Sequence, residues 1–256
     1  MSLNIARKRQ IVPPYTKLAS GYDYLMRHVN YKQWAEYVYH LIRMSDEAIG
    51  TILDVSCGTG SLLLELAKKK YVLSGFDYSN DMVKIARQKL HSKALPFPVW
   101  VGDMRAFALQ RPQDAIVCLY DSINYLMEIE NWKAFYIACH DNLRSGGLLI
   151  FDVCTEWNSI KHFQNYTDKD RTSNFKYVRR SYYNLHDRIH HNDFKIKIRD
   201  DNQVYFEYHK QKIYNIDEIL ASLPDDKFDI IGAYHEFTTM PARNASERVH
   251  FLLKKR

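Results

Sequence analysis

Between Tyr15 and about Met44 the apolar positions recur at helical spacing. Leu18, Tyr22, Leu25 and Met26 form one set, and Trp34, Tyr37, Val38, Leu41 and Ile42 form another. Residues 51–55 are then a short apolar, β-branched run that enters Ser-Cys-Gly-Thr-Gly, the pattern of a buried strand ending in a turn. Residues 61–70 read as a helix, 71–76 as a strand ending at Asp77, 80–91 as a helix and 98–101 as a strand. The alternation continues with a strand at 115–119, a helix at 132–143, a Gly146-Gly147 turn and a strand at 148–153. Strands alternating with helices of about ten residues predict βαβ units, hence a doubly wound α/β sheet with helices on both faces.

After Asp152 the rhythm changes. Residues 175–185, 190–199 and 204–214 read as strands without intervening helices, with Asp200-Asp201-Asn202 as a hairpin turn. A short helix at 216–223 follows, then strands at 228–237 and 249–253. The expected organisation is a core of residues 1–154 and 215–256, interrupted by a small antiparallel β insertion at 155–214 that covers the active site. The helices within 15–48 are a candidate lid. Strand alternation places Glu207, His209 and Gln211 on one face of the insertion and Phe206, Tyr208 and Lys210 on the other.

Composition narrows the class only a little. Hydrophobic residues are 46% and charged residues 26%, ordinary for a globular protein, and no run nears the ~18–20 apolar residues of a membrane span. The first residues are polar and basic, without the apolar centre of a signal peptide, so a cytoplasmic location is expected. Cys57, Cys118, Cys139 and Cys154 are scattered and form no CxxC pair, which points away from a zinc site or a disulfide framework. The net charge of +6 is spread along the chain, so solvated surface is favoured over a nucleic-acid face.

The candidate chemistry starts at the glycine turn. Gly58 and Gly60 fit a dinucleotide fingerprint, but its third glycine position is Leu63. Asp54, just before the turn, is a poor neighbour for a pyrophosphate and a good one for an amino-acid ammonium. Asp77 and Asp103 close the next two strands. Each of the three acids alone reads more readily as a loop or cap residue; three at adjacent strand ends read as one ligand gripped at three points.

With DVSCGTG, GFDYSNDM and GDM in this order, the chain resembles class I S-adenosylmethionine-dependent methyltransferases, with a Rossmann-like seven-stranded sheet. The resemblance implies that Asp54 and the backbone of Ser56, Cys57, Gly58, Thr59 and Gly60 hold the methionine end of S-adenosyl-L-methionine, beside Leu119. It implies that Asp77 binds the ribose hydroxyls, that Tyr78 and Met82 flank the adenine, and that Asp103 and Met104 meet the adenine edge. The family more often has Gly where Ser56 stands. YDYLMRHVNYKQW, CLYDSINYL and EYHKQKIY are similar to a bacterial group of small-molecule-type methyltransferases, with Lys212 where Arg is usual. That likeness gives the reaction and not the acceptor.

Asp121, Ser122 and Asn124, after the fourth strand, read as contacts to the cofactor's methionine part or to the acceptor. Asp121 and Asn124 are the expected catalytic residues because the resemblance places them there, while Ser122 reads equally as an N-cap, a role also open to Asp121. His209 is the expected general base, against the alternative of a solvated sheet face. Tyr22 reads equally as a lid over the cofactor and as core, Trp34 more as core. His235 and Glu236 end a strand and could reach the pocket, while His186, His190 and His191 read as surface. No [DN]PP[FYW] follows the fourth strand, and no Pro-Cys nucleophile does. The expected activity is methyl transfer to N or O of a small molecule; RNA or protein acceptors, cofactor binding without catalysis and a nicotinamide enzyme are the alternatives.

Overall fold

The computed structural model describes residues 8–256. The elements in chain order are β1 (Lys8–Ile11), α1 (Tyr22–Leu25), α2 (Tyr31–Met44), β2 (Thr51–Asp54), α3 (Ser61–Ala67), β3 (Val72–Asp77), α4 (Asn80–Ser92), β4 (Val99–Val101) and β5 (Gln113–Cys118). They continue with α5 (Ile129–Asn142), β6 (Leu143–Cys154), α6 (Glu156–Phe163), β7 (Tyr166–Arg171), β8 (Phe175–Asn184), β9 (Ile189–Ile198), β10 (Gln203–Lys212), α7 (Ile216–Ala221), β11 (Phe228–His235) and β12 (Arg248–Lys255).

Seven strands form the main sheet in the order β11-β12-β6-β5-β2-β3-β4. The pairs among β4, β3, β2, β5 and β6 are parallel, and β12 is antiparallel to both β6 and β11. Parallel strands are covered on both faces, which is why Ile52, Leu53, Ile116, Val117, Leu149 and Ile150 are all fully buried instead of alternating. Chain order reverses between β2 and β5, and in such sheets a crevice opens at the strand C-termini beside that switch point. This is the doubly wound α/β fold that the alternation predicts.

A second sheet, in the order β1-β10-β9-β8-β7, packs over that crevice edge and over α1. Its inward face carries Phe175, Tyr177, Phe194, Ile196 and Tyr205 against Leu18, Leu25 and Met26. Three features of this region differ from the sequence expectation. The helical pattern of residues 15–44 divides into a 3-10 turn at Leu18–Gly21, α1 and α2, because Asn30 caps α2 by accepting from Gln33 N. Strand β1 pairs in parallel with β10; all four of its residues are exposed, so no apolar alternation marks it. Helix α6 and the polar edge strand β7 fill the first part of the expected β insertion, where no individual element was predicted; α6 is helical because Thr155 caps it by accepting from Asn158 N.

One turn is also reassigned. Gly146-Gly147 lies inside β6, where three extra residues bulge out between the pairs Gln113–Leu143 and Ala115–Leu148 and Gly146 takes φ 73°. The four cysteines are all buried and free. Among the described residues no helix is long and apolar enough to cross a membrane.

Candidate cofactor and acceptor site

At the end of β2 the Asp54 carboxylate is buried and accepts from Ser56 N at 3.2 Å. Burial pushes its carboxyl up to about 7; the Ser56 N–H opposes this and the charge of Asp77 adds to it. Gly58 and Gly60 both take positive φ, 52° and 78°, so the tight turn needs them. Gly75 on β3 is needed for a different reason: a Cβ there would stand 2.9 Å from Cys57 Cβ and 3.2 Å from the Asp54 carbonyl. Asp77 accepts from Gly58 N at 2.9 Å and from Ser79 N at 2.8 Å, which fixes its carboxylate across the turn. Burial raises its carboxyl, and those two N–H groups oppose the rise.

A cleft of about 420 Å³ opens here, lined by Ser56, Gly58, Asp77, Tyr78, Met82, Asp103 and Met104. Tyr78 stands at its mouth, 75% exposed, and Met82 lies at its base. Arg105 clasps the Asp103 carboxylate through Nε at 3.0 and 3.1 Å. A recess of about 60 Å³ adjoins the cleft and brings in Asp54, Cys57, Thr59, Leu119 and Trp34; Tyr22, Ser56 and Gly58 line both spaces. Gly60 starts α3 behind the turn, and buried Thr59 donates to Asp23 at 2.6 Å. Pro13 and Pro14, ahead of the predicted helical pattern, and Tyr15, its first residue but left-handed at φ 61° instead of helical, also wall the cleft.

Beyond Tyr22 and Tyr120 lies a third space, a chamber of about 180 Å³ between the two sheets. Tyr120 and Asp121 take consecutive left-handed conformations, which lets both their N–H groups reach Asp152, at 2.6 and 3.1 Å. Arg248 bonds Asp121 at 2.7 Å and also bonds Asp152, with its guanidinium against the rings of both Trp34 and Tyr120. Gln211 donates to the other oxygen of Asp121. Asn124 is fully buried with both arms of its amide taken: it donates to Lys212 O at 2.8 Å and accepts from Cys154 N at 3.0 Å. It therefore ties the loop to β6 and β10 instead of facing the chamber.

The predicted face of β10 is buried, with Glu207, His209 and Gln211 all inward and Tyr208 outward. His209 Nε2 donates to Glu207 at 3.1 Å, which leaves Nδ1 to accept from Tyr125 OH at 2.8 Å. Tyr125 in turn lies 2.6 Å from Tyr15 OH. Glu207 also accepts from the backbone N–H groups of Tyr15, Lys17 and Leu18. Burial raises both phenols well above the ordinary tyrosine value.

The histidines divide differently from the sequence reading. His190 is buried, 3% exposed, and lines the chamber, because it falls on the inward phase of β9. His235 and Glu236 line none of the three spaces; His235 pairs with Ser246 instead. Sequence reasoning also missed Tyr15, Tyr125 and Arg248. Tyr125 closes the DSINY segment and had a local signal; Arg248 stands one residue before a predicted strand and had none.

The profile of a methyltransferase domain matches residues 52–147, the span holding the glycine turn and all three strand-end acids. The Bacillus subtilis protein YqeM, provisionally named a methyltransferase, is 30% identical over 248 residues, 94% of this chain and 97% of that one. A Streptomyces venezuelae dTDP-3-amino-3,4,6-trideoxy-alpha-D-glucopyranose N,N-dimethyltransferase is 32% identical over 136 residues, 52% of this chain and 56% of that protein. In structure the chain is similar to an S-adenosylmethionine-dependent methyltransferase from Clostridium acetobutylicum, with a TM-score of 0.80 at 24% identity, covering 94% of this chain and 98% of that one. The likeness to the Bacillus subtilis protein spans nearly the whole of both chains and includes the cofactor turn. The chain belongs to the S-adenosylmethionine-dependent methyltransferases.

Proposed function

We propose that the enzyme transfers the methyl group of S-adenosyl-L-methionine in-line to a nitrogen or oxygen of a small-molecule acceptor held in the chamber between the sheets. The observation that carries this reading is the junction of the two spaces: Tyr15, Tyr22, Tyr120 and Tyr125 line both the cofactor cleft and the chamber. The volume suits a small molecule or part of one, and two relatives are named as N,N-dimethyltransferases of dTDP-linked amino sugars, which are small-molecule acceptors.

In this reading the cofactor lies along the strand ends. Asp54 faces its ammonium, with Ser56, Cys57, Gly58, Thr59, Gly60 and Leu119 around the methionine part. Asp77 takes the ribose hydroxyls, Tyr78 and Met82 the adenine faces, and Asp103 and Met104 its edge. Residues 155–214 cover the acceptor, Tyr22 separates it from the cofactor, and the helices within 15–48 close above. The four free cysteines suit a reducing cytoplasm.

Methyl transfer from a sulfonium releases a neutral thioether, so alignment of the acceptor behind the methyl carbon supplies much of the rate, up to ~7–11 kcal/mol. The acceptor gains the methyl group and must lose one proton. Tyr125 is placed to receive it and pass its own to His209 Nδ1, while Glu207 holds the imidazole in the tautomer that can accept. His209 thus acts through Tyr125. Asp121, fixed by Arg248 and Gln211, holds the acceptor's polar group, and Asn124 positions the loop that carries it.

The test is methyl transfer from labelled S-adenosylmethionine into a metabolite extract. Label in a small molecule, lost in Tyr125→Phe, is the expected result. Label only in macromolecules, or none at all, would overturn the acceptor class or the catalysis.

A further inference from the structure

The chamber has a second opening, away from the cofactor. A mouth of about 480 Å³ between α1, α6, β7 and β8 shares Leu25, His28, Asn158, Phe163 and Arg179 with the chamber walls. Arg179 stands in the neck between them. Its Nε is buried with no partner among the described residues, and the carboxylate it pairs with, Asp168, lies 3.6 Å from Nη2. Asp168 already accepts from Tyr177 OH at 2.7 Å, and Asp170 at the rim is taken by Arg27 at 2.6 Å. The guanidinium packs against the rings of Tyr166 and Phe163, 5.2 and 6.0 Å from their centres, which fixes its plane and leaves donors unused. A planar guanidinium with free donors matches a carboxylate or phosphate in two-point fashion.

Away from Arg179, the chamber wall carries Asp121, whose carboxylate pairs with Arg248, a guanidinium that Asp152 also holds from behind the wall. On the same wall, His190 Nε2 is buried with no hydrogen-bond partner within reach among the described residues, and its Nδ1 lies 3.1 Å from Ser159 Oγ.

We infer that the acceptor is a small anionic amine: its carboxylate or phosphate binds Arg179 at the neck, its amine points to Asp121 and the cofactor methyl group, and it enters by the mouth opposite the cofactor. This rests on the methyl-transfer reading above and names the substrate class for that same chamber. His190 Nε2 then meets a hydroxyl of the acceptor, which can donate or accept, giving orientation between Arg179 and Asp121. An acceptor without an anionic group leaves the free donors of Arg179 unused, which discriminates against it.

The experiment uses the whole enzyme saturated with S-adenosylhomocysteine, titrated by calorimetry with inorganic phosphate and, separately, with acetate. At least one anion is expected to bind with a Kd of about 1 mM. Arg179→Ala should weaken that binding at least tenfold, Arg179→Lys less so, and neither should change the affinity for S-adenosylhomocysteine. The stronger of the two anions tells a phosphate from a carboxylate acceptor. In parallel, extract fractionated on an anion exchanger at about pH 11, where the amine is neutral and the carboxylate or phosphate still charged, should yield the methylated acceptor in the retained fraction, with a raised KM in Arg179→Ala and little change in kcat. Absence of anion binding, equal binding to Arg179→Ala, or an acceptor in the unretained fraction would overturn the inference while leaving the methyl-transfer reading standing. Failure of S-adenosylhomocysteine itself to bind would overturn that reading and this one with it.

Discussion

Glu207 and His209 face one another on β10 at 3.1 Å, and the same Glu207 carboxylate receives the N–H groups of Tyr15, Lys17 and Leu18. One buried side chain therefore holds both the imidazole of the proposed proton path and the segment that walls the cofactor cleft. Glu207→Gln keeps the shape but replaces one carboxylate oxygen by a donor, so at least one of these N–H groups loses its acceptor. The variant should lose about 1–3 kcal/mol of stability and also bind cofactor more weakly. Thermal melting and calorimetry on the variant check both parts; a change in neither would show that Glu207 anchors nothing.

Tyr125→Phe removes one hydroxyl from that path and leaves the packing intact. The expected outcome is a fall in kcat of about 10²-fold with the cofactor Kd within a few-fold of the wild type. Steady-state kinetics with the extract-derived acceptor measures it, and an unchanged kcat would remove Tyr125 from proton transfer.

Asp54 gives the cofactor site a pH dependence. Its folded carboxyl stands near 7, above the ordinary 3.8, so the empty protein holds this proton through a range where the unfolded chain has lost it. That contribution to stability is complete below about pH 3.8 and is lost as pH rises towards 7. A cofactor ammonium needs the ionised form, so binding must expel the proton below pH 7. Affinity should weaken by up to about tenfold from pH 7 to pH 6, with proton release seen as a buffer-dependent heat. Asp54→Asn should remove the pH dependence along with most of the affinity.

Gly75→Ala addresses the turn from the neighbouring strand. The added methyl group meets Cys57 Cβ at 2.9 Å and Leu63 Cδ1 at 3.1 Å, and neither can retreat from a filled core. A loss of about 1–3 kcal/mol and weaker cofactor binding are expected, read from a urea melt and a titration. Full stability would mean that β3 and the turn are less closely packed than described.

The core sheet was legible because each parallel strand is a continuous apolar run bounded by helices, and its register follows from burial on both faces. That the glycine turn and the strand-end acids gather at one cleft was legible because they lie close in sequence to the elements that place them. The acceptor side was not. Arg248 meets Asp121 and Asp152 only through the pairing of β12 with β6, and no local pattern announces a contact across about a hundred residues. Strand β1 has no buried position to mark it, and a single step of strand phase decides that His190 faces inward. Asn124 shows the opposite failure: a residue expected at the site lines none of the three spaces and spends its amide on backbone groups.

The central claim is that the cleft beside Asp77 holds S-adenosylmethionine. Calorimetric titration of wild type and Asp77→Ala with S-adenosylhomocysteine tests it most directly. The wild type should bind, and the folded variant should bind at least tenfold more weakly, because a charge-assisted two-point contact is gone. Equal affinity in a folded Asp77→Ala would contradict the placement.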